Sequence, residues 1–423
     1  MVPRGRYDGA SVTVSAGEAS YRALFSVPFL GRALLGMQVA RIGQAMVGVA
    51  MVLFTLTRYH SPELAGFVTF IGIFPGLLVS PIAGAILDRH GRTRFILLDY
   101  LIATLSLGMI GVLALVDVLP PWLLILIAGV SSLTGPLSNV GLRSLFPMMA
   151  PRHLWERLNA IDSNGYVVAT IFGPPLAAVA IAVVGGPVAM VLIGLVFGIA
   201  AIVLWPVPDP ESRTRTTGSL LRDAWQGVRY TWSNPTLRGL GFSITTLNVA
   251  GGITTIVVPL IVLERLGLGE IAVGAVWAVQ GVFGLIAGLI AGRIDTRGRE
   301  RGLIGWPMFA WAAAVALLLV PGFGPVVISM AAIGVLNGPM DVAMFTVRQR
   351  RTDPTWLGRA FAVSMAFNFA GFPIGSALAG AVAGRSIEAA VLIGVAACLV
   401  GAVAALWLIP ARGATEPAGT VSA

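Results

Sequence analysis

The sequence predicts an all-α polytopic membrane protein with twelve transmembrane helices in two pseudo-symmetric six-helix bundles. Three observations predict this fold class: the composition is too apolar for a water-soluble core, the apolar runs number twelve, and the two halves of the chain repeat. Hydrophobic residues make up 57% of the 423 residues and charged residues 11%, whereas soluble domains are about one-quarter charged. The bilayer therefore has to be the solvent for most of this chain.

The apolar runs are separated by short segments that carry glycine, proline and charge. A spanning helix needs roughly 20 apolar residues, so a chain of 423 residues has room for twelve spans, short loops and one longer connector. The predicted spans are 29–57, 64–87, 95–116, 122–146, 158–183, 188–205, 237–263, 271–294, 303–320, 326–347, 361–383 and 389–409.

These spans divide the chain into an N-terminal tail (1–28), a six-helix bundle (29–206), a connector (207–236), a second six-helix bundle (237–410) and a C-terminal tail (411–423). The polar residues 1–20 contain no apolar h-region, so we expect no signal peptide. Within the connector, Leu221, Trp225, Val228 and Trp232 fall at helical spacing. This spacing predicts an amphipathic helix along the inner membrane surface.

The distribution of arginine predicts the orientation. All 28 basic residues are arginine, and 24 of them lie in the two tails, in alternate loops or at the span ends next to these. The positive-inside rule therefore predicts a multi-pass protein of the inner (plasma) membrane with both termini in the cytoplasm. The net charge of +9 then indicates topology, and we expect no nucleic-acid partner.

The residue types also exclude several function classes. Without lysine the chain has no Walker A loop for ATP. The single cysteine and three loop histidines predict no metal site and no cofactor. Metalloprotease and serine-hydrolase motifs are missing as well. We therefore do not expect this protein to be an enzyme.

An internal repeat relates the two halves. Residues 86–94 and 293–301 share Asp, Gly, Arg and Arg at identical spacing, 207 positions apart, and Ala169-x-x-x-Gly173 corresponds to Gly371-x-x-x-Gly375. A parallel duplication of six-helix halves is a transporter architecture, in which the substrate path lies between the halves near the bilayer midplane.

The segment Gly84-x-Ile86-Leu87-Asp88-Arg89-x-Gly91-Arg92 resembles motif A of the major facilitator superfamily. Three further segments resemble the drug/proton antiporter branch that holds the enterobactin exporter and macrolide efflux proteins. They are Ala40-Arg41-Ile42-Gly43, Leu97-Leu98-Asp99 and Leu357-Gly358-Arg359. Gly173-Pro174 is similar to the core of that branch's fifth-span motif.

This resemblance implies a cytoplasmic gate, in which a carboxylate caps a neighbouring helix and pairs with an arginine in one access state. The alternative is a topology anchor without a gating role. The gate residues are Gly84, Asp88, Arg89, Gly91 and Arg92 in the first half, with Asp295, Gly298 and Arg299 in the weaker second copy. Two roles are open for the glycines and the proline within the fifth and eleventh spans: they either bend the span or allow close helix packing. These residues are Gly173, Pro174, Gly371 and Gly375.

Charged residues inside spans are costly and therefore mark candidate functional sites. Arg41 lies in the first span, where it either binds an anionic group, responds to a titrating carboxylate or forms a permanent ion pair. Asp341 in the tenth span is a candidate proton site, with a packing role or a pair with Arg348 as the alternatives. For Asp162 in the fifth span we favour a structural role.

Together these features predict a secondary transporter, with proton-coupled efflux of hydrophobic or amphiphilic small molecules by alternating access as the leading hypothesis. A narrow-substrate exporter, for example of a siderophore, an uptake permease for organic solutes and a transporter-like sensor stay open. The expected partners are the lipid bilayer, a small-molecule substrate and protons, and one chain holds both halves, so we expect it to work as a monomer.

Overall fold

The computed structural model describes residues 20–209, 220–293, 295–353 and 356–411. Within helices, the side chains of residues 81, 84, 85, 88, 89, 220–224, 357–359, 361 and 362 lie outside this description. The described part of the chain forms fifteen α-helices joined by short loops. The helices are α1 Tyr21–Ser26, α2 Leu30–Tyr59, α3 Pro62–Ile71, α4 Phe74–His90, α5 Thr93–Leu115, α6 Pro121–Met149, α7 Trp155–Val184, α8 Gly186–Leu204, α9 Leu220–Ser233, α10 Pro235–Leu260, α11 Glu270–Ala291, α12 Glu300–Ala316, α13 Phe323–Arg350, α14 Leu357–Ala383 and α15 Ile387–Leu408.

Twelve helical segments in the described part of the chain are long and apolar enough to cross a membrane. They match the twelve predicted spans in order, with α3 and α4 together forming the second span, so this prediction is confirmed. Large apolar side chains on these helices also face outward, for example Leu105, Ile202 and Leu289 at about 70% exposure. A soluble monomer does not expose so much apolar surface, which fits a lipid-facing exterior.

The second span is broken, and the sequence prediction of one continuous helix over residues 64–87 is wrong at this point. Helix α3 ends at Ile71 and α4 begins at Phe74. Pro75 is in the first turn of α4, where its missing N–H costs nothing. The ring of Phe70 stacks on Phe74 at 4.8 Å, so aromatic contacts bridge the break.

Side-chain caps begin several of the helices. The hydroxyl of Ser61 accepts a hydrogen bond from Leu64 N, and the hydroxyl of Ser386 accepts one from Ala389 N. Asn234 caps α10 by accepting from Thr236 N and Leu237 N. Such caps satisfy amide groups that the helix itself leaves unpaired.

The two bundles use matching helix pairs. In the first bundle α2 packs on α7 and α8, and in the second α10 packs on α14 and α15. Glycines allow these approaches: a Cβ atom placed on Gly173 would lie 3.0 Å from the carbonyl carbon of Ala45. One placed on Gly375 would lie 2.7 Å from the carbonyl carbon of Val249. Small residues at such contacts let helix backbones pack tightly in a membrane.

Candidate transport path and gates

Arg41 and Asp162, which the sequence places on different helices, form an ion pair between α2 and α7. Arg41 Nη2 lies 2.6 Å from Asp162 Oδ1, and Arg41 Nη1 donates to the backbone carbonyl of Asp162 at 2.7 Å. The two side chains are 14% and 24% exposed. Tyr166, one turn along α7, places its ring 5.9 Å from the guanidinium. The charge of Arg41 is therefore compensated by the carboxylate of Asp162.

A second polar contact lies one turn before Arg41. Gln38 Nε2 donates to the carbonyl of Gly165 at 3.0 Å. Beside it is a cavity of about 390 Å³, bounded by α1, α2 and α7 and lined mainly by apolar side chains, with Gln38, Asn164 and Tyr21 as its polar groups. Such a lining can accept an apolar molecule that carries a few hydrogen-bonding groups.

The second bundle repeats this polar contact in neutral form. Thr245 Oγ1 donates to the carbonyl of Phe367, and Asn248 Nδ2 donates to the carbonyl of Asn368, each at 2.9 Å. Thr245 and Asn248 lie 207 positions after Gln38 and Arg41, which is the repeat distance seen in the sequence. We call the contacts of Gln38 and Arg41 with α7 the α2–α7 clip. The contacts of Thr245 and Asn248 with α14 are called the α10–α14 clip. The α2–α7 clip contains an ion pair, whereas the α10–α14 clip contains hydroxyl and amide donors.

Asp341 lies on α13 with an exposed side chain, about two-thirds of the way along the helix. No hydrogen bond or ion pair to its carboxylate is found among the described residues, so it does not pair with Arg348. It shares a helix face with Gly334 and Gly338, which pack directly on α11. The carboxylate of Asp341 is therefore exposed and has no partner among the described residues.

Arg348 is the largest fully buried side chain of the protein. Its Nη1 lies 2.8 Å from the sulfur of Met365 on α14, and its guanidinium lies 5.8 Å from the centre of the Phe345 ring. This arginine therefore joins α13 to α14 inside the second bundle. Its sequence position near a loop gave no sign of such burial.

We call the end of the molecule with the loops that follow α4, α6, α8, α11 and α13 the arginine-rich end. There Asp209, just after α8, caps the N-terminus of α5: its Oδ1 accepts from Arg92 N at 2.7 Å and from Thr93 N at 3.1 Å. Gly91 has φ = 96° and lies against the carboxylate of Asp209. Arg92 is buried and its Nε donates to Ser144 Oγ at 2.9 Å.

The carboxylate that caps a neighbouring helix is thus Asp209, which the sequence analysis did not select. Gly84, Asp88 and Arg89 lie on α4, and their side chains are outside the described residues, so the role expected of Asp88 stays a prediction. Asp209 could have been found from its position between two prolines directly after a span. That position holds the carboxylate close to a helix end.

The second copy of the motif is built differently. Gly298 has φ = 69°, and Asp295 accepts from Arg297 N within its own loop at 3.1 Å, while Arg299 precedes α12 with an exposed side chain. The buried charge here is Glu300, whose Oε1 lies 3.1 Å from Arg350 Nη1 and whose Oε2 lies 3.6 Å from Arg351 Nη2. The hydrogen bond that Asp295 accepts is local, so a gating role for this copy rests on the resemblance alone.

The bundles meet at the opposite, arginine-poor end. Helix α3 packs against α14 so closely that a Cβ atom on Gly380 would lie 2.7 Å from the carbonyl oxygen of Pro62 and 2.9 Å from Gly66 Cα. Arg385 Nη1 lies 3.8 Å from Glu63 Oε1 across the same junction. We call this junction the α3–α14 seam. Helix α4, the other half of the same span, packs on α6 of its own bundle.

A second seam joins α7 to α11. A Cβ atom on Gly274 would lie 3.2 Å from Pro175 Cα, and one on Gly281 would lie 3.1 Å from Ile171 Cα. Helix α7 continues through Gly173 and Pro174 without a break in the helix. Of the two roles left open for this motif, and for Gly371 and Gly375 on α14, the close backbone contacts favour packing.

The family model described as Major Facilitator Superfamily matches this chain in two segments, residues 33–301 and 240–421. The chain belongs to the major facilitator superfamily. This confirms the resemblance drawn from the segment around Gly91 and Arg92, and the twelve helices form the fold that the superfamily implies.

Characterised efflux proteins are among the relatives of this superfamily member. The chain is 35% identical over 93% of its length to the MFS-type transporter y4rN of Sinorhizobium fredii, of which 98% is covered. It is 24% identical to the multidrug efflux pump Tap of Mycolicibacterium fortuitum, over 83% of the chain and 88% of Tap. It is 25% identical to the enterobactin exporter EntS of Shigella boydii, over 85% and 84%.

Solved transporters share the fold. The nucleoside transporter NupG superimposes with a TM-score of 0.71 at 13% identity, covering 89% of this chain and all of NupG. A bacterial homologue of the human lysosomal transporter Spinster superimposes with a TM-score of 0.70 at 15% identity, covering 92% of this chain and all of the homologue. The protein is therefore a membrane transporter with efflux-pump relatives.

Proposed function

We propose that this transporter is a proton-coupled exporter of hydrophobic or amphiphilic small molecules that works by alternating access. The observation that carries the proposal is the accessible, unpaired carboxylate of Asp341 inside a span. A buried or membrane-embedded carboxyl group that can reach water in one state and not in the other is a means of coupling proton movement to transport.

The contact pattern supports a state that is closed at the arginine-poor end. Both seams bring backbone against backbone there, and the ion pair of Glu63 with Arg385 crosses between bundles. By the positive-inside rule the arginine-rich end is cytoplasmic, with both termini on that side of the inner membrane. In the proposed cycle, a state closed at the arginine-poor end is the one that loads substrate from the cytoplasmic side.

The substrate class follows from the cavity beside the α2–α7 clip and from the relatives. Its lining is mainly apolar with amide and phenol groups, which suits an amphiphilic or aromatic molecule better than a sugar. Tap is named as a multidrug efflux pump, and this supports export of several compounds.

Proton coupling is tested in everted membrane vesicles that contain the full-length protein. The vesicles are energised, and collapse of the proton gradient is recorded on adding cationic drugs, macrolides and siderophores. We expect substrate-dependent collapse that is lost in Asp341→Asn. Asp117→Asn is the matched control, because this carboxylate is 90% exposed in a loop outside the spans. A response that survives Asp341→Asn would remove Asp341 as the coupling site.

A narrow-substrate exporter is the second candidate, favoured by the match to EntS over most of both chains. In this case one siderophore-like compound would collapse the gradient and the cationic drugs and macrolides would not. Accumulation of a compound in right-side-out cells, driven by the gradient, would instead indicate an uptake permease.

A further inference from the structure

Helix α9 (Leu220–Ser233) presents three different faces, and the arrangement of these faces identifies its surroundings. One face packs on the protein: Gly227 and Thr231 are buried. The next face is apolar and exposed, with Trp225 and Trp232 at 69% and 55% exposure and Val228 between them. Beyond it lies an exposed polar face with Arg229 and Ser233. A helix at the junction of protein, lipid and water has this order of faces.

The apolar face of α9 continues onto a spanning helix. The ring of Trp232 meets the ring of Phe242 edge-on at 5.8 Å, and Phe242 is an exposed residue of α10. The exposed face of α9 therefore lies beside the surface of a membrane span rather than out in solvent.

Other exposed tryptophans lie at the same, arginine-rich end of the molecule. Trp205 follows the last turn of α8, Trp407 lies in the last turn of α15 and Trp306 lies in the second turn of α12, and all three are strongly exposed at the arginine-rich end. Tryptophan is enriched at membrane–water interfaces because its ring is apolar and its N–H can bond to headgroups. Trp225 and Trp232 extend this belt onto α9.

Two arginines border the apolar face. Arg229 is exposed on the polar face, and Arg238 is exposed in the first turn of α10, where its Nη1 donates to the carbonyl of Trp232 at 3.3 Å. The guanidinium of Arg238 is thus held at the end of the tryptophan face. Positive groups at the edge of an inserted face attract anionic phospholipid headgroups.

Helix α9 is also fastened to the second bundle. The ring of Tyr230 stacks on Trp356 at 5.1 Å, and Tyr230 Oη accepts a hydrogen bond from Asp353 N at 2.9 Å. Asn234, directly after α9, donates to the carbonyl of Arg351 at 2.9 Å. A force on α9 is therefore transmitted to the loop between α13 and α14.

We propose that α9 is a lipid-recognition helix: Trp225, Val228 and Trp232 insert into the headgroup layer, and Arg229 and Arg238 bind anionic phospholipid there. The helix ties the arginine-rich end of the second bundle to that leaflet. This site is separate from the α2–α7 clip and from Asp341. The proposal that α9 binds lipid does not depend on whether the protein couples transport to protons.

Spin labels on α9 test the insertion. Val228→Cys and Ser233→Cys are labelled in full-length protein carrying Cys398→Ala, a replacement at the buried native cysteine. In vesicles of phosphatidylglycerol and phosphatidylcholine, we expect the label at position 228 to be severalfold more accessible to oxygen than to a water-soluble nickel chelate. The label at position 233 should show the reverse. Equal exposure of both labels to the chelate would overturn the proposal, and so would shielding of position 228 from both reagents, which would indicate a protein partner.

Lipid choice is tested with a fluorophore at position 228 and brominated lipids as quenchers. Brominated phosphatidylglycerol should quench more strongly than brominated phosphatidylcholine at equal mole fraction. Each arginine near a membrane surface contributes about fivefold to binding of anionic lipid, so Arg229→Gln with Arg238→Gln should abolish this preference. Equal quenching by the two lipids in the unsubstituted helix would overturn the assignment of an anionic ligand. None of these readouts depends on transport.

Discussion

At the scale of single residues, a charged group inside the membrane is costly unless another group compensates it. Arg41 and Asp162 compensate one another at 2.6 Å between α2 and α7, and Glu300 is held by Arg350 and Arg351. Asp341 has no such partner among the described residues. Arg41, Asp162 and Glu300 thus hold helices together, and Asp341 is the carboxylate to which the proposed function assigns proton coupling.

The α2–α7 ion pair should be strongly coupled. Removing one partner of a fully buried ion pair costs about 3–5 kcal/mol because the other charge is left uncompensated. The Arg41–Asp162 pair is partly exposed, so we expect a smaller loss. Arg41→Gln and Asp162→Asn should each lower the melting temperature in detergent, and the double variant should recover much of the loss. Asp117→Asn, which removes the charge of a 90% exposed carboxylate paired with Arg58, should change the melting temperature little. Additive effects of the two α2–α7 substitutions would mean that the pair contributes no coupling.

At the scale of secondary-structure elements, the capped start of α5 shows how the connector acts on the first bundle. Asp209 reaches two amides at the N-terminus of α5, and Gly91 leaves room for its carboxylate. The same connector, through α9, contacts the second bundle at Tyr230 and Asn234. The connector therefore binds one bundle at each end.

The two motif glycines should respond unequally to alanine. Both have positive φ, 96° at Gly91 and 69° at Gly298. The left-handed conformation costs about 1–2 kcal/mol for an L-residue with a side chain, and the ψ of 163° at Gly91 lies in a region that is essentially restricted to glycine. At Gly91 the added methyl group would also collide with Asp209, whereas the space around Gly298 is open. Gly91→Ala should therefore lower the melting temperature more than Gly298→Ala. Equal losses would contradict the packing of Asp209 on this loop.

The cap itself can be tested at Asp209. Loss of an N-cap costs about 0.5–2 kcal/mol, so Asp209→Ala should destabilise the first bundle and Asp209→Asn, which keeps an acceptor oxygen, should do so less. Hydrogen exchange of the α5 amides reports this effect directly. Protection unchanged in both variants would show that the carboxylate does not hold α5.

At the scale of the whole molecule, the two bundles are in backbone contact along two seams, α3–α14 and α7–α11. The α3–α14 seam brings Gly66 and Gly380 into backbone contact, and Glu63 lies 3.8 Å from Arg385 across it. Opening the arginine-poor end requires the contacts of the α3–α14 seam to break together, because a packed seam is either formed or broken.

Locking the α3–α14 seam should stop transport. A cross-link between Glu63→Cys and Arg385→Cys joins the two bundles and should abolish turnover until it is reduced. The matched control is Arg265→Cys with Glu388→Cys, since these partners pair within the second bundle, and this cross-link should leave turnover intact. Continued transport with the first cross-link formed would exclude opening at this seam.

Separating the seam should shift the conformational balance. A side chain at position 380 has no room against Pro62 and Gly66, so Gly380→Leu should reduce the yield of the Glu63→Cys and Arg385→Cys cross-link severalfold. The substitution Gly384→Leu, at a glycine with open space around it, is the control and should leave the yield unchanged. An undiminished yield in Gly380→Leu would argue against the close contact.

The sequence by itself determined the twelve spans and the amphipathic spacing of α9 through hydropathy, and the repeat of 207 positions through matching residues. The motif around Gly91 was identified through its resemblance to motif A. These features are local or periodic: about 20 apolar residues satisfy a span wherever they occur, and arginine distribution orients the loops. The break between α3 and α4 was missed because a proline in the first turn of a new helix looks like a proline inside an old one.

The tertiary structure decided which charges pair, which end of the molecule is closed and which carboxylate caps α5. Arg41 and Asp162 are 121 positions apart, and whether they meet depends on the rotation of α2 against α7. Asp209 was overlooked because its partners are amides of a helix 116 positions earlier in the chain. Contacts of this kind depend on how helix faces pack, which a pattern along one helix does not contain.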